Sequence, residues 1–476
     1  VRLIASLALA AVLGAVTTRC WPARGEPNDR PRSAPEAGVS DGQHASWPDP
    51  GALAANEPAA TPDRKGEEFT FEIEEFEKRP YSFKGFGELE GVIFSARREA
   101  AFHRLSYYRG SPGDPFGEAT AHAQIEATYE RGVFRAFARG NGYARSTGDG
   151  SDNDGRLYEG YVTLRPNENL LFDAGKKALR WGKGYAWSPI AFADRPKNPD
   201  DPEIDLEGYT IASMDLIVSF GGALKTLSFT PVILPVYENV NGDFAETRGV
   251  NHAGRLYILL WDTDIDFVYL VGPSRSSRFG VDLSRNITSN FEIHAEIAHF
   301  PDFAKRSVDE AGDVREQRYY ARAGLAGVRY LTELETTIIL EYYYNGTGMS
   351  VEEMTNYYDL IWRANTDLGK TLDEEPLKRT VEIGRGGYGR INPMRNYAFL
   401  RVSQKEPFDI LYFTPAISTI YNIDDESYSI TAELLYERIT NLEMRLRLGY
   451  LHGSADTELG EKPYDRRLDL RVRYYL

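Results

Sequence analysis

Alternation with a period of two, sustained over about ten residues at a time, limits this chain more than any other feature. In "NLEMRLRLGY" the residues Leu442, Met444, Leu446, Leu448 and Tyr450 form one series, and Glu443, Arg445 and Arg447 form the other. "NFEIHAEIAHF" sets Phe291, Ile293, Ala295 and Ile297 against Glu292, His294 and Glu296, and "SYSITAELLYE" sets Tyr428, Ile430, Ala432, Leu434 and Tyr436 against Ser429, Thr431 and Glu433. The final stretch, "RRLDLRVRYYL", does the same with Leu468, Leu470, Val472, Tyr474 and Leu476 against Arg467, Asp469, Arg471 and Arg473. A half-buried strand of a soluble protein alternates over about five or six residues. Roughly ten is the length a tilted strand needs to cross a bilayer.

About eighteen such segments can be counted from Tyr81 onward. They cover 82–95, 119–129, 133–145, 156–165, 170–181, 208–219, 225–236, 252–262, 264–272, 277–285, 290–300, 319–330, 335–345, 395–403, 408–421, 427–437, 441–451 and 466–476. The connections between them alternate in length. Short turns such as "ERG", "PNEN", "NITS" and "LTEL" take every second place. The places between fall to mostly longer stretches around 96–118, 182–207, 237–251, 301–318, 346–394 and 452–465, with "GPSRSS" and "NIDDE" as the short ones. Outer-membrane barrels have short periplasmic turns, longer external loops and an even strand number, whereas a sandwich has no reason to sort its loops. The reading is all-β: an antiparallel transmembrane barrel of about 18 strands, with one helix in a long external loop. Hydrocarbon cannot satisfy a free sheet edge, so the last strand is expected to pair with the first.

Composition agrees. The chain holds 30 Tyr, 23 Phe and 6 Trp, residues whose apolar body and wet tip suit a membrane–water boundary. A net charge of −16 argues against a nucleic-acid partner, since phosphate binding wants a basic face. Mean hydropathy of −0.44 excludes a bundle of membrane helices.

Residues 1–19 read as a signal peptide, with Arg2 before the apolar run Leu3–Val16. Cys20, the single cysteine, invites a lipoprotein reading, although Arg19 stands where a small residue is expected. Residues 20–66 read as a disordered leader, 67–80 as a periplasmic arm or plug-like segment, and 81–476 as the barrel.

With apolar residues toward lipid, the alternate series lines the lumen. It includes Glu126, Arg135, Arg139, Arg165, Glu433, Arg445, Arg447, Asp469, Arg471 and Arg473. A barrel of this size encloses water, and charges left unpaired at its narrowest point would set selectivity. The plainer reading is a static cross-strand ladder of Glu433 and Glu443 with Arg445, Arg447, Arg471 and Arg473. Two connections supply pore or gate candidates. One, rich in Gly, Trp and Pro, carries Trp181, Lys183, Trp187, Arg195 and Lys197; the other, 346–394, carries Arg385, Arg390 and Arg395. In the second, Ser350 and Glu353 form a capping box ahead of an apolar stripe of Met354, Tyr358 and Ile361. The glycines of "IGRGGYGRINPMR" lack the strand–turn–helix context of a phosphate-cradling loop and read as a basic loop.

"AGKKALRWG" resembles the "GRQ…WG" or "GRQ…YG" strand-to-loop motif of large porin-like barrels of Gram-negative outer membranes, including the alginate-export family. Gly175, Trp181 and Gly182 stand at motif positions, with Lys176 and Lys177 in place of Arg-Gln. The end "LDLRVRYYL" is similar to the C-terminal signal of Gram-negative outer-membrane proteins, with Leu476 in place of the usual Phe or Trp. These resemblances imply a cell outer-membrane barrel whose partners are outer-membrane lipid, lipopolysaccharide, the barrel-insertion machinery and periplasmic transport components. No cofactor is implied, and no Cys/His cluster has metal-ligand spacing. His294 and His299 have no companion nucleophile at a telling spacing, so the chain does not read as an enzyme. Transport is the favoured work: a channel or exporter for polar or anionic solutes or polymers, gated by external loops. The alternatives are a non-conducting scaffold for periplasmic or surface partners and a conduit for lipids or hydrophobic compounds.

Overall fold

The computed structural model describes residues 79–148 and 150–476; the expected signal peptide, the leader and nearly all of the 67–80 arm lie outside the described residues. Eighteen antiparallel strands form one closed sheet. In chain order they are β1 (Tyr81–Ala96), β2 (Phe116–Arg131), β3 (Phe134–Thr147), β4 (Gly150–Asn167), β5 (Leu170–Lys177), β6 (Tyr209–Ser219), β7 (Leu224–Val236), β8 (Gly249–Leu260) and β9 (Thr263–Val271). The second half runs through β10 (Arg278–Thr288), β11 (Phe291–Val308), β12 (Val314–Leu331), β13 (Thr336–Asn345), β14 (Asn396–Gln404), β15 (Phe413–Asn422), β16 (Tyr428–Tyr436), β17 (Leu442–His452) and β18 (Tyr464–Tyr475).

Each strand pairs with its sequence neighbours, and β18 closes on β1 from Phe86↔Tyr475 to Ala96↔Tyr464. Both ladders of β18 are therefore filled, one by β17 and one by β1. That closure is what lets a sheet sit in hydrocarbon with no unpaired backbone at an edge.

Facing follows the alternation. On β18, Leu468 and Leu470 are exposed while Asp469, Arg471 and Arg473 are buried. An outward belt of Leu89, Ile93, Val162, Leu216, Ile233, Val281, Ile297, Leu340, Leu400 and Leu448 runs round the wall. At the short-turn end it is edged by exposed Tyr81, Tyr129, Phe220, Trp261, Tyr330 and Tyr412. At the other end Tyr320, Tyr344, Tyr421 and Tyr450 are exposed. An apolar band between aromatic girdles is the outside of an outer-membrane barrel, and that membrane is where the molecule belongs.

The strands depart from expectation in several places: β4 begins at Gly150 instead of 156, and β15 at Phe413 instead of 408, after a short 3-10 turn at Pro407–Asp409. The stretch 301–318 is mostly strand: β11 and β12 are each 18 residues long, with only 309–313 between them. Their register shifts between Phe300 and Phe303, which breaks the alternation where the hairpin rises past its neighbours. β5, conversely, ends at Lys177, so 178–181 belong to the following connection.

Helical structure is richer than one helix. A short α1 (Ala101–Ser106) lies between β1 and β2, and the 346–395 connection holds both α2 (Val351–Thr371) and α3 (Glu375–Gly386). The capping box starts α2: Glu353 N donates to the Ser350 hydroxyl at 3.2 Å, and Ser350 N donates to the Glu353 carboxylate at 2.8 Å. Its buried face, Met354, Tyr357, Tyr358, Ile361 and Ala364, joins one apolar cluster with Leu105, Ala186, Trp187, Leu325, Ile339 and Phe399. Strand residues, α1, α2 and the 178–208 connection thus share a core inside the long-loop end of the barrel.

Candidate functional site: a loop folded across the lumen

Between β5 and β6 the chain has 31 residues (178–208) without helix or strand, so its N–H groups need partners from elsewhere. Carboxylates on the inner wall supply them. Glu296 on β11 accepts from Lys183 N at 2.6 Å, Gly184 N at 2.7 Å, Ile190 N at 3.3 Å and the Ser188 hydroxyl at 3.0 Å. Glu341 on β13 accepts from Ala186 N at 2.9 Å and from Tyr185 N. His294 contacts the same carboxylate, Nε2 to Oε1 at 2.9 Å, and fixes it from behind. Lys183 reaches Asp266 on β9 at 3.1 Å, and Lys197 Nζ donates to Gly184 O within the loop. Asp194 accepts from Leu179 N at 2.7 Å and Trp181 N at 3.1 Å. Burial raises its pKa even though these backbone donors oppose it.

The returning half of the loop crosses to the other side. Asp201 meets three arginines from β17 and β18: Arg447, Arg445 at 3.7 Å and Arg471 at 3.8 Å. Burial alone would raise its carboxyl pKa, but the three guanidinium groups outweigh burial and hold it down at about 2. Asp205 takes Arg139 of β3 at 2.9 Å and Arg180 at 3.1 Å. Glu207 takes Lys176 and Arg195, the latter at 3.4 Å. The loop therefore spans the lumen, with acids of the wall holding one flank and its own acids holding arginines on the other.

Gly182 makes the first bend possible. Its φ is +103°, and a Cβ there would stand 1.8 Å from the Ser188 hydroxyl and 2.8 Å from Glu296 Oε1. Gly182→Ala is expected to cost about 1–3 kcal/mol of backbone strain and to loosen the Glu296 contacts. Protease sensitivity of 178–208 in the folded barrel should rise. A loop as resistant as the parent's would mean that the bend does not hold the seat.

The sequence-derived candidates divide clearly. Trp181, Lys183, Trp187, Arg195 and Lys197 all sit in the lumen loop. Trp181 is buried, and Trp187 stacks on Tyr343 at 5.2 Å while donating to Asn392 at 3.1 Å. The ladder of Glu433, Glu443, Arg445, Arg447, Arg471 and Arg473 is present, joined by Arg401, Glu88, Glu90 and Asp201. Arg447 Nε contacts Glu433 at 2.9 Å, Arg445 contacts Glu443 at 3.3 Å, and Arg473 contacts Glu88 at 2.7 Å. Asp469 is buried beside this group, opposite Arg447 in register. Glu126 pairs with Arg139 at 2.7 Å. Arg135 and Arg165 line a separate cavity of about 160 Å³ near the short turns, with Glu130, Asp173, Lys177 and Asp215.

The long connection scatters its arginines. Arg385 is exposed on α3 and paired with Glu382 at 2.5 Å, Arg395 donates to Gly348 O at 3.3 Å, and Arg390 is exposed in the segment before β14. Among the described residues no group of three His, Cys, Asp or Glu has the geometry to hold a metal ion.

No family model and no curated protein matches the chain. Solved structures show a distant likeness in shape. OccK5 (OpdH) of Pseudomonas aeruginosa is 12% identical at a TM-score of 0.49, covering 83% of this chain and 98% of that one. Acinetobacter baumannii OccAB1 is also 12% identical at 0.49, covering 83% and 96%. P. aeruginosa OccK2 (OpdF), crystallised with glucuronate, is 14% identical at 0.48, covering 83% and 98%. The fold assignment here stands on the hydrogen-bonded closure and the outward belt, independently of these likenesses.

Glu296, Glu341 and Asp201 are the residues whose work the sequence did not disclose. The first two alternate as ordinary lumen charges, and only the folded loop makes them anchors.

Proposed function

We propose that the chain is an outer-membrane channel for small polar or anionic solutes. Residues 178–208 set the width of its passage, and the 346–395 connection covers the mouth at the long-loop end. One observation carries this reading: the lumen loop is tied to opposite sides of the wall, by Glu296 and Glu341 on one flank and by Asp201 on the other. A charged, loop-narrowed passage discriminates solutes through a few close groups in a weakly screening space. The long loops are taken to face outward, as in other barrels with short periplasmic turns.

Burial of the wall charges supports a second reading. Arg473, Glu341 and Glu296 are almost wholly covered, as in a lumen packed for strength, which suits a non-conducting scaffold. Planar-bilayer recording separates the two. The channel should conduct, and deleting 350–392, which removes α2, α3 and their share of the apolar cluster, should raise conductance several-fold. Silence from both proteins, each giving a heat-resistant folded band, would support the scaffold and end the channel reading.

A further inference from the structure

The connection between β17 and β18 (453–463) carries one carboxyl group into the protein at the long-loop end. Glu458 is 1% exposed, although it lies outside the strands. Its Oε2 accepts from the Tyr397 hydroxyl at 2.6 Å and from Asn422 Nδ2 at 2.8 Å. Its Oε1 is buried as well and has no hydrogen-bond partner. Among the described residues Glu458 makes no ion pair. Asp201, just as enclosed, meets three arginines. Two acids with the same burial thus have opposite surroundings.

The bonds of Glu458 join pieces of chain that no strand ladder pairs. Tyr397, buried on β14, accepts from Met394 N at 2.6 Å with the same hydroxyl that donates to Glu458. Asn422 Nδ2 lies 3.0 Å from Met394 Sδ. Both partners therefore also hold Met394, near the end of the 346–395 connection. The rest of the 453–463 loop is fastened elsewhere. Glu458 N donates to Asp425 at 2.6 Å, Phe102 N of α1 donates to Glu461 O at 3.1 Å, and Arg97 donates to Leu459 O at 2.7 Å. Glu458 is the point at which the last loop meets the cover.

We propose that Glu458 is a proton-operated latch, whose neutral carboxyl holds the 453–463 loop to the 346–395 connection and whose ionisation releases it. A buried carboxylate with two donors and no cation is costly, whereas the neutral acid keeps both bonds and carries no charge. The proton passes to solvent water, and the charge left behind is better solvated once the latch opens. Burial pushes the Glu458 carboxyl up to about 7, against the pull of Lys462 and of the Tyr397 and Asn422 hydrogen bonds, and Asp425 adds to the push. The other ionisable group in the surrounding cluster is Tyr358 of α2. Asp456 and Glu461 of the same loop bond each other, Asp456 N to the Glu461 carboxylate at 2.9 Å. Because the folded value lies above the ordinary 4.5, the stability contributed by the neutral group is complete below about pH 4.5. It declines as the pH rises and is gone above about 7. The inference concerns how the cover is fastened, so it stands whether or not the lumen conducts.

Amide hydrogen exchange of the folded full-length barrel in detergent, followed between about pH 5 and pH 8, tests this. Each rate is divided by the intrinsic rate at the same pH, which gives an opening ratio for the peptides holding Met394 and Glu458. That ratio should rise roughly tenfold or more across the range and level off above neutral. Glu458→Gln keeps the shape and an uncharged acceptor, so its ratio should stay low and flat. Heat-resistant migration confirms that the variant is folded. If it is not, Tyr397→Phe serves instead: loss of one donor disfavours the carboxylate, so the step should move to higher pH. A parent ratio that is flat from pH 5 to pH 8, or a step that persists in Glu458→Gln, would overturn the latch. So would a step left unmoved by Tyr397→Phe.

Discussion

Replacing Asp201 with Asn is expected to unseat the lumen loop and turn the passage toward anions. Asp201 is the one loop residue that meets Arg445, Arg447 and Arg471 together, and it is buried with them. Glu433 and Glu443 remain after the change, but neither reaches across to the loop. Removing one partner from a buried charge group costs up to about 3–5 kcal/mol when the remaining charge is left unpaired; here Arg445, Arg447 and Arg471 keep Glu443, Glu433 and Glu90, so the cost falls at the lower end of that range. Protease should cut 178–208 in the variant and spare it in the parent. The reversal potential in a salt gradient should move toward anion preference, and the move should shrink at 1 M salt, where the screening length is about 3 Å. A protected loop with unchanged selectivity would remove Asp201 from its role as the tie.

The same residue sets a pH window. Its folded-state pKa, about 2, lies below the ordinary 3.8, so the stability it contributes is complete above about pH 4. That contribution falls away as the pH drops from there toward 2. The parent's loop should therefore stay protected at pH 5 and open in strong acid, whereas the Asn variant should already be open at pH 5.

How much of this was legible beforehand depends on what each residue faces. Alternation reports a contrast between lipid and lumen, so it located all eighteen strands and the inward set on β16–β18. Where the outward face rises past the lipid into water the contrast is lost. "PDFAKRSVDEAGDVREQR" is polar on both sides and reads as loop, yet it forms the tops of β11 and β12, with Phe303 and Lys305 turned inward only after the register shift. The lumen loop was opaque for a different reason. Its partners lie far along the chain, Lys183 to Glu296 and Asp201 to Arg447, and no local pattern encodes a contact between a loop and a wall strand more than a hundred residues away. Trp187 and Lys183 stood out by residue type alone. Glu296 and Glu341 did not, because a wall carboxylate looks the same whether it meets water, an arginine or a backbone N–H. Resemblance of "AGKKALRWG" to a strand-to-loop motif marked the right place but not the fold that follows it, in which Gly182 turns the chain inward.

Leu470→Arg, by contrast, tests the wall itself. Leu470 lies midway along β18, about half exposed, opposite Leu446 on one side and Gly91 on the other. An arginine there enters the hydrocarbon near its midplane, at a cost of about 2–4 kcal/mol. Asp469→Asn, one residue away on the inner face, keeps shape and hydrogen-bonding capacity and should change stability by less than about 1 kcal/mol. The yield of heat-resistant folded band should drop sharply for the first variant and hardly at all for the second. The strand cannot escape by sliding one residue. A slip would carry Arg471 and Arg473 into lipid together, and would strip Glu88 and Glu90 of partners now at 2.7 and 2.9 Å. Arg471 near the midplane already costs about what the slip would remove, and Arg473 nearer the rim and the severed ion pairs add to it. Leu470→Arg should therefore reduce insertion and leave the register alone. If Asp469→Asn proved the more damaging change, the seam would have to be drawn one residue over, with its charges outside.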